Sequence, residues 1–296
     1  MIGNRKKLVA WAKINLHLKI TGQRDDGYHL LDMVMVKLDL SDEIETELVH
    51  EGIEIRSNVS TIPVNSSNTL WKMATLVAEE SGKKFGLRIF LKKNSPVAAG
   101  LGAGSSDAAA LLLWLNQVLE LGWSEQRLGE IGARVGADVP FFLLRGACRV
   151  QGIGEVLSPF IIESYPVILI NPGFPVSTKE AYRWFDENIE KQILKAGGSD
   201  RAPTRATPPE GLTAIRVGGT TLPLENDLEK VVIPRYPVLD RIKKLLIDAG
   251  ALAALMSGSG PTVFGLFEST ASRDRGYEVL KKQRDPNWWM WNGRSL

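Results

Sequence analysis

A glycine-rich segment that runs directly into an apolar, helix-forming segment constrains this chain more than any other feature. Gly100, Gly102 and Gly104 lie two residues apart, so the backbone can adopt positive φ there and approach a ligand that a Cβ atom would exclude. Residues 105–107 (Ser-Ser-Asp) follow as candidate helix N-caps. A glycine loop before a helix N-terminus presents unpaired N–H groups and the positive end of the helix dipole, which predicts a phosphate site. A glycine turn that only begins a buried helix fits the same residues.

Two familiar nucleotide-binding templates do not fit this segment. A P-loop requires Gly-Lys-Ser/Thr after the loop, but no lysine occurs between Asn94 and Lys179. A dinucleotide fingerprint requires a third glycine three positions after Gly102, where Ser105 stands, and this loop lies far from the N-terminus. A phosphate site in this segment therefore belongs to another fold.

Length, charge and cysteine content narrow the class of protein. With 296 residues the chain is long enough for two domains with substantial cores. Its 36 basic and 34 acidic residues nearly balance, so bulk charge favours neither nucleic acid nor an anionic membrane as a partner. The sequence shows no apolar run of about 18 residues and no signal-peptide core, and its single cysteine, Cys148, fits a reducing compartment. We expect a cytoplasmic protein that is a monomer or a weak homodimer.

The segment from Ala12 to Ile20 alternates apolar and polar side chains, as a half-buried strand does. Its apolar positions are Ile14, Leu16, Leu18 and Ile20, and its polar positions are Lys13, Asn15, His17 and Lys19. A lysine on a strand is most often a solvated charge at a sheet edge. The nearby segment Asp-Asp-Gly-Tyr-His (25–29) favours a functional role for Lys13 instead.

Asp138 stands where a loop enters an apolar segment, in Gly-Ala-Asp-Val-Pro-Phe-Phe (136–142). Such a carboxylate either caps a helix or is a site residue held against the core. The local sequence favours neither interpretation over the other.

The second half of the chain contains another glycine turn. Ser-Gly-Ser-Gly at 257–260 separates two apolar strands and predicts either a plain hairpin turn or a second backbone cradle. Residues 177–180 have the form of a capping box and predict a helix through Tyr182. The segment 195–219 is rich in Gly, Pro and Thr, and we predict a long mobile loop to which we assign no function.

Several motifs together resemble the superfamily of galactokinase, homoserine kinase, mevalonate kinase and phosphomevalonate kinase, the GHMP kinases. Pro-Val-Ala-Ala-Gly-Leu-Gly-Ala-Gly-Ser-Ser-Asp-Ala-Ala (96–109) resembles their phosphate-binding motif, and residues 12–16 and 256–264 are similar to their first and third motifs. Within the superfamily, the kinases that act on 4-diphosphocytidyl-2-C-methyl-D-erythritol are similar at residues 21–31, 136–142, 152–155 and 226–229. The motifs follow one another in order over nearly the whole chain.

The resemblance implies an α+β protein with the two-domain GHMP-kinase fold. Residues 1–162 would form an ATP-binding domain like domain 2 of ribosomal protein S5, and residues 163–296 a ferredoxin-like domain that completes the substrate site. The implied reaction transfers a phosphoryl group from ATP to the 2-hydroxyl of the methylerythritol unit, in the non-mevalonate route to isoprenoid precursors. Magnesium would arrive on the nucleotide, and the sequence leaves open whether a protein carboxylate also binds it.

The resemblance also assigns roles to individual residues. Asp138 would be the catalytic base and Lys13 its partner. The implied ATP-binding residues are Pro96, Val97, Ala98, Ala99, Gly100, Leu101, Gly102, Ala103, Gly104, Ser105 and Ser106, and the second glycine turn is Ser257, Gly258, Ser259 and Gly260.

The implied substrate contacts, besides Asp138, come from five residues: Asn15, Tyr28, His29, Thr178 and Tyr182. Tyr28 and His29 would meet the cytosine, the backbone of His29 reading its edge, and Tyr182 would supply a second stacking ring. Tyr182 also fits a core position on an amphipathic helix.

The chain departs from the superfamily motif at Ala103, where a third consecutive glycine is usual. Alanine is compatible there only with a negative φ, which we predict. Two alternatives compete with the implied function. A sibling kinase for homoserine or mevalonate would lack the aromatic pair at Tyr28 and His29, and a non-catalytic nucleotide sensor would lose Lys13 or Asp138.

Overall fold

Two long antiparallel strands at the start of the chain, β1 (Arg5–Gln23) and β2 (His29–Val49), form the framework of the fold. In the computed structural model, which describes residues 3–195, 212–217 and 219–296, they belong to a seven-stranded sheet. The other strands of this sheet are β3 (Ile53–Ser57), β4 (Gly86–Lys92), β5 (Ala147–Gly152), β6 (Val156–Phe160) and β10 (Glu225–Asn226).

A second sheet of four strands, all paired antiparallel, comes from the later described residues in the order β11-β12-β7-β13. Its strands are β7 (Pro166–Asn171), β11 (Ala253–Met256), β12 (Val263–Leu266) and β13 (Trp289–Arg294). Of the segment predicted to be a mobile loop, residues 196–211 and 218 lie outside the described residues. The prediction is wrong for part of the remainder, because β8 (Ala214–Val217) pairs with β9 (Thr220–Pro223).

Helices begin where the sequence supplies caps. Asn68 accepts a hydrogen bond from the Leu70 N–H, and Ser124 accepts one from the Arg127 N–H. The described helices are α1 (Thr69–Ser81), α2 (Ala103–Val118), α3 (Glu125–Ala133), α4 (Val139–Leu143), α5 (Thr178–Lys195), α6 (Glu229–Val232), α7 (Val238–Asp248) and α8 (Thr270–Gln283).

The core has two parts. One apolar cluster fills the space between the two sheets, with Val36 from the large sheet against Leu169 and Phe264 from the small one. A larger cluster lies where the helices pack, for example around Leu112. These layers give the α+β class that the sequence predicts, whereas the domain boundary between residues 162 and 163 stays a prediction.

Irregular pairing in β1 decides which of its side chains face the helices. The register with β2 slips between Trp11 and Lys13, and again just after Asn15. Ile14 therefore packs between the sheets, whereas Leu18 packs with the helices, so the predicted single apolar face is wrong. Lys13 and Asn15 are buried, with 4% and 1% of their surface exposed, so Lys13 is not a solvated charge at a sheet edge.

The predicted loop-to-helix transition is present, but its cap differs. Gly102 is the N-cap of α2 with φ of 66°, so the predicted caps at residues 105–107 are wrong, because the left-handed glycine starts the helix earlier without a side chain. Ala103 is the first helical residue. Positive φ among the described non-glycine residues occurs at Ala98 and Glu120 alone, which confirms the negative φ predicted for Ala103.

The loop before α2 packs directly against the 257–260 turn, whose predicted hairpin is confirmed by the pairing of β11 with β12. Ser257 Oγ donates to the Gly100 carbonyl at 2.9 Å, and the Thr262 N–H donates to the Ala99 carbonyl at 3.3 Å. A Cβ atom on Gly100 would lie 2.0 Å from the Ser257 carbonyl oxygen. The two glycine turns therefore form one joint between the two halves of the chain.

A buried lysine holds the C-terminal end of α4. Lys37 lies opposite Lys13 in the β1–β2 register, and its Nζ donates to the carbonyls of Phe142 at 3.1 Å and Leu144 at 2.5 Å. None of the carboxylates in the described ranges forms an ion pair with it. Burial lowers the pKa of Lys37 to about 8.

We expect Gly100→Ala to destabilise the protein by about 2–4 kcal/mol, because a Cβ there meets backbone atoms and φ is positive. Gly104→Ala, in the first turn of α2 directly after the loop, is the matched control. Its φ is not positive and its nearest contact would be 3.5 Å from the Thr69 hydroxyl, so we expect a gain of about 0.5 kcal/mol from helix propensity. Urea unfolding of both variants measures the difference, and equal midpoints would contradict the tight joint.

We expect the stability contribution of Lys37 to depend on pH. Its folded pKa of about 8 lies below the ordinary 10.5, so the folded state disfavours its charge. The stability gained from this shift is present above about pH 10.5 and is lost as pH falls through 8. Between pH 7 and pH 10, the free energy of unfolding of wild type should rise by on the order of 2 kcal/mol relative to that of Lys37→Met, measured by urea unfolding. Lys72→Met, at an exposed lysine of α1, should show no such divergence.

Candidate active site

The predicted site residues surround one cavity of about 1270 Å³. Every predicted catalytic and substrate-binding residue lines it: Lys13, Asn15, Tyr28, His29, Asp138, Thr178 and Tyr182. The predicted ATP-binding residues from Pro96 to Ser105 line it as well, whereas Ser106 is buried in the first turn of α2 and does not. Gly258 and Ser259 of the second turn reach the cavity, and Ser257 and Gly260 do not.

The N-terminus of α2 opens into this cavity without a side-chain cap. No side chain caps the helix at Gly102, so the first N–H groups of α2 are free to bind an anion. A Cβ on Gly102 would lie 2.9 Å from the side chains of both Lys13 and Phe142. The glycine therefore lets the helix N-terminus approach the Lys13 side chain closely.

Lys13 brings together the groups that can carry out proton and phosphoryl transfer. Its Nζ donates to Asn15 Oδ1 at 2.6 Å and lies 3.5 Å from Asp138 Oδ2. The Asp138 side chain makes no capping hydrogen bond to α4, so of the two interpretations left open by the sequence, the helix cap does not hold. Because the Asp138 side chain is 30% exposed while that of Lys13 is 5% exposed, the carboxylate faces the cavity with the ammonium beneath it.

A buried ionic network supports the loop from behind, and sequence reasoning missed it. Lys93 Nζ donates to Asp42 and, at 3.0 Å, to Asp107 Oδ2. Asp42 also accepts from the N–H groups of Asn94 and Ser95, which lead into the loop. Burial raises the pKa of Asp107 to about 6, against the opposing effect of Lys93. These residues lie on β2, after β4 and on α2, and no local pattern in the sequence shows that they meet.

One part of the cavity wall, the aromatic end, is formed by Tyr28, His29 and Tyr182. The His29 and Tyr182 rings stack with centroids 4.8 Å apart, and Phe185 meets the His29 ring edge-on at 6.5 Å. The Tyr28 side chain stands at the rim with 61% of its residue surface exposed. Burial, and then the charge of Asp138, raise the pKa of Tyr182, so its hydroxyl stays neutral. Asp186 accepts from or pairs with His29 Nε2 at 2.7 Å, a contact that sequence reasoning also missed.

The second glycine turn joins α5 to the site. Thr178 and Ser259 share a hydrogen bond between their hydroxyls at 2.8 Å. Asn226 Nδ2 donates to the carbonyls of Met256 and Gly258 at 2.7 and 2.8 Å, which fixes the turn from the side of β10. The turn is therefore both a hairpin and a wall of the cavity, so the two interpretations left open by the sequence are compatible.

Two further observations concern metal ions and membranes. The described residues contain no group of three or more His, Cys, Asp or Glu side chains arranged to hold a metal ion. None of the described helices is long and apolar enough to cross a membrane.

Comparison with known proteins adds family information to this geometry. The model of the GHMP kinases N terminal domain matches residues 68–146, and that of the GHMP kinases C terminal matches residues 218–285. The chain is 42% identical over 293 residues to the 4-diphosphocytidyl-2-C-methyl-D-erythritol kinase of Geobacter metallireducens, covering 98% of each. It is 41% identical over 285 residues to the kinase of the same name from Citrifermentans bemidjiense, covering 93% of this chain and 94% of that protein.

Solved structures agree with these relatives. A crystal structure of 4-(cytidine 5'-diphospho)-2C-methyl-D-erythritol kinase superposes with a TM-score of 0.76 at 30% identity, covering 98% of this chain and 99% of that one. Homoserine kinase from Cytophaga hutchinsonii shares the fold, with a TM-score of 0.67 at 22% identity over 100% of this chain and 96% of that one. The chain belongs to the 4-diphosphocytidyl-2-C-methyl-D-erythritol kinase family of the GHMP kinases.

Proposed function

We propose that the chain transfers the γ-phosphoryl group of ATP to the 2-hydroxyl of 4-diphosphocytidyl-2-C-methyl-D-erythritol, in the non-mevalonate route to isoprenoid precursors. The observation that carries this proposal is the position of Lys13 and Asp138 beside the uncapped N-terminus of α2, in a cavity that also has an aromatic wall. Membership of the family supports the same substrate. We retain the expectation of a cytoplasmic monomer or weak homodimer as a prediction.

Asp138 acts as the general base in this proposal. Its carboxylate accepts the proton of the acceptor hydroxyl as the oxygen attacks the γ-phosphorus. Lys13, at 3.5 Å, balances the carboxylate charge and offsets the negative charge that develops on the transferred phosphoryl group. Asn15 accepts a hydrogen bond from the Lys13 ammonium and keeps it in place. Phosphoryl transfer needs mainly positioning and charge stabilisation, so this small set of groups is sufficient.

The glycine loop and the N-terminus of α2 hold the phosphates of ATP. Uncapped N–H groups at a helix N-terminus bind anionic oxygens without any side chain, which explains how a loop devoid of lysine serves this role. Ile62, Pro63 and Leu91 give the cavity wall apolar surface, which suits the adenine base.

Magnesium arrives with the nucleotide and neutralises phosphate charge when bound. The cavity fits this mode, because it offers single oxygens, such as the Ser105 hydroxyl and the Asp138 carboxylate, and not a cage of carboxylates. Magnesium in phosphoryl-transfer sites usually keeps water and phosphate ligands and takes only one or two protein oxygens.

The cytidine end of the substrate lies against Tyr28, His29 and Tyr182. Flat aromatic rings stack on a pyrimidine, and hydrogen bonds at its edge distinguish one base from another. Thr178 and Asn15 line the same cavity, and in this proposal they hold the diphosphate and the methylerythritol unit.

We expect the purified protein with magnesium and ATP to phosphorylate 4-diphosphocytidyl-2-C-methyl-D-erythritol and to leave homoserine and mevalonate unchanged. Homoserine and mevalonate are smaller acceptors and have no aromatic base that the aromatic end could bind. Coupled detection of ADP with each acceptor measures the preference. Faster turnover of homoserine or mevalonate would assign the chain to a sibling activity.

We expect Asp138→Ala to lower kcat by at least about 100-fold, the contribution of a general base, while the Kd for ATP changes by less than about threefold. Asp240→Ala, at an exposed carboxylate of α7 that pairs with Lys244, serves as the control and should match wild type. Steady-state kinetics and nucleotide titration provide the two readouts. Unaltered turnover by Asp138→Ala would remove this residue as the base.

A further inference from the structure

Asp186 is a charged residue of the cavity to which the proposed reaction gives no part. It lies on α5, one turn after Tyr182, and its Oδ1 is 2.7 Å from His29 Nε2. Its side chain is 39% exposed, whereas that of His29 is only 13% exposed. The contact joins the start of β2 to a helix from the other half of the chain, across the aromatic end of the cavity.

The His29 ring is fixed on three sides. Tyr182 stacks on one face with an interplanar angle of 26°, Phe185 contacts it edge-on, and Asp186 occupies the Nε2 position. The second ring nitrogen, Nδ1, has no hydrogen-bond partner among the described residues and is not among their fully buried unpaired atoms. Nδ1 therefore keeps some exposed surface, on a residue that lines the cavity.

A carboxylate at Nε2 bears on which ring nitrogen of His29 carries the proton. An ionised carboxylate only accepts hydrogen bonds, so an imidazole that is neutral in this contact carries its proton on Nε2 and donates it to Asp186. Nδ1 is then a lone-pair acceptor. At the 4-position cytosine presents an amino group that donates, whereas uracil presents a carbonyl oxygen that repels an acceptor.

We propose that Asp186 is a positioning residue that fixes His29 as the Nε2–H tautomer, so that Nδ1 accepts a hydrogen bond from the 4-amino group of a cytosine and disfavours a uracil. This inference rests on the proposed function, because that function places the pyrimidine at the aromatic end. It assigns base selection to a pair of side chains, in addition to the backbone of His29.

The tautomer is measured without any substrate. In protein labelled with 15N at its histidines, of which the chain has three, we expect the His29 signals of a protonated Nε2 and a bare Nδ1 in wild type and in Asp186→Asn. The asparagine oxygen still accepts from Nε2–H. In Asp186→Ala we expect the two nitrogens to exchange between tautomers. A protonated Nδ1 in wild type, or an unchanged spectrum in Asp186→Ala, would overturn the proposal.

Base selection is measured with cytidine 5'-diphosphate and uridine 5'-diphosphate as probes, by calorimetric titration. We expect wild type and Asp186→Asn to bind the cytidine nucleotide about tenfold more tightly, and Asp186→Ala to bind the two within about twofold of each other. Glu187→Ala changes the next residue of α5, whose partners are Arg183 and Arg235, and should keep the wild-type ratio. A preserved tenfold ratio in Asp186→Ala would overturn the proposal.

These readouts separate the two proposals. A wild-type protein that prefers the cytidine nucleotide but fails to phosphorylate the diphosphocytidyl substrate would contradict the proposed function and support the role of Asp186. Normal turnover of the diphosphocytidyl substrate by wild type, together with an unchanged preference for the cytidine nucleotide in Asp186→Ala, would support the proposed function and contradict the role of Asp186. The KM for ATP should stay within about twofold in all three variants, and a parallel rise in that KM and in both nucleotide Kd values would show general damage and overturn the proposal.

Discussion

The site depends on the burial of one ammonium group. Lys13 has 4% of its surface exposed, and a charge at such depth requires partners that compensate its lost hydration. Asn15 and Asp138 supply them from β1 and from the residue before α4, and Gly102 leaves room for the lysine chain against the start of α2. The electrostatic requirement of one side chain thus brings the base, the phosphate loop and the first strand into contact.

The two halves of the chain meet at the same place. Gly100 and Ser257 are in contact through main-chain atoms and a hydroxyl, and Thr178 reaches Ser259 from α5. Behind the loop, Lys93 links Asp42 to Asp107 and so ties β2 to α2. Because each link uses groups that are buried or close-packed, the loop has little freedom to move apart from the residues that face the acceptor.

The sequence was most informative where a feature is local. The glycine loop that leads into α2, the hairpin at 257–260 and the negative φ of Ala103 all depend on neighbouring residues. Long-range features were missed or wrong. The slip in β1 that puts Ile14 and Leu18 on opposite faces depends on pairing with β2 and leaves no local mark. The same holds for the Lys93 network and for the contact of Asp186 with His29, which join residues far apart in the chain.

The aromatic end and the phosphate loop are built from different elements, which has a consequence for the evolution of this fold. The groups at the aromatic end come from the β1–β2 connection and α5, whereas the predicted phosphate site is formed by the loop and the start of α2. Side chains at the aromatic end can therefore change while the glycine loop keeps its sequence, so an ancestral enzyme could change its acceptor without rebuilding its phosphate site. Homoserine kinase from Cytophaga hutchinsonii, with the same fold at 22% identity, shows how far sequences of this architecture can diverge. In this architecture, the phosphoryl-transfer reaction can therefore be conserved while the acceptor substrate changes.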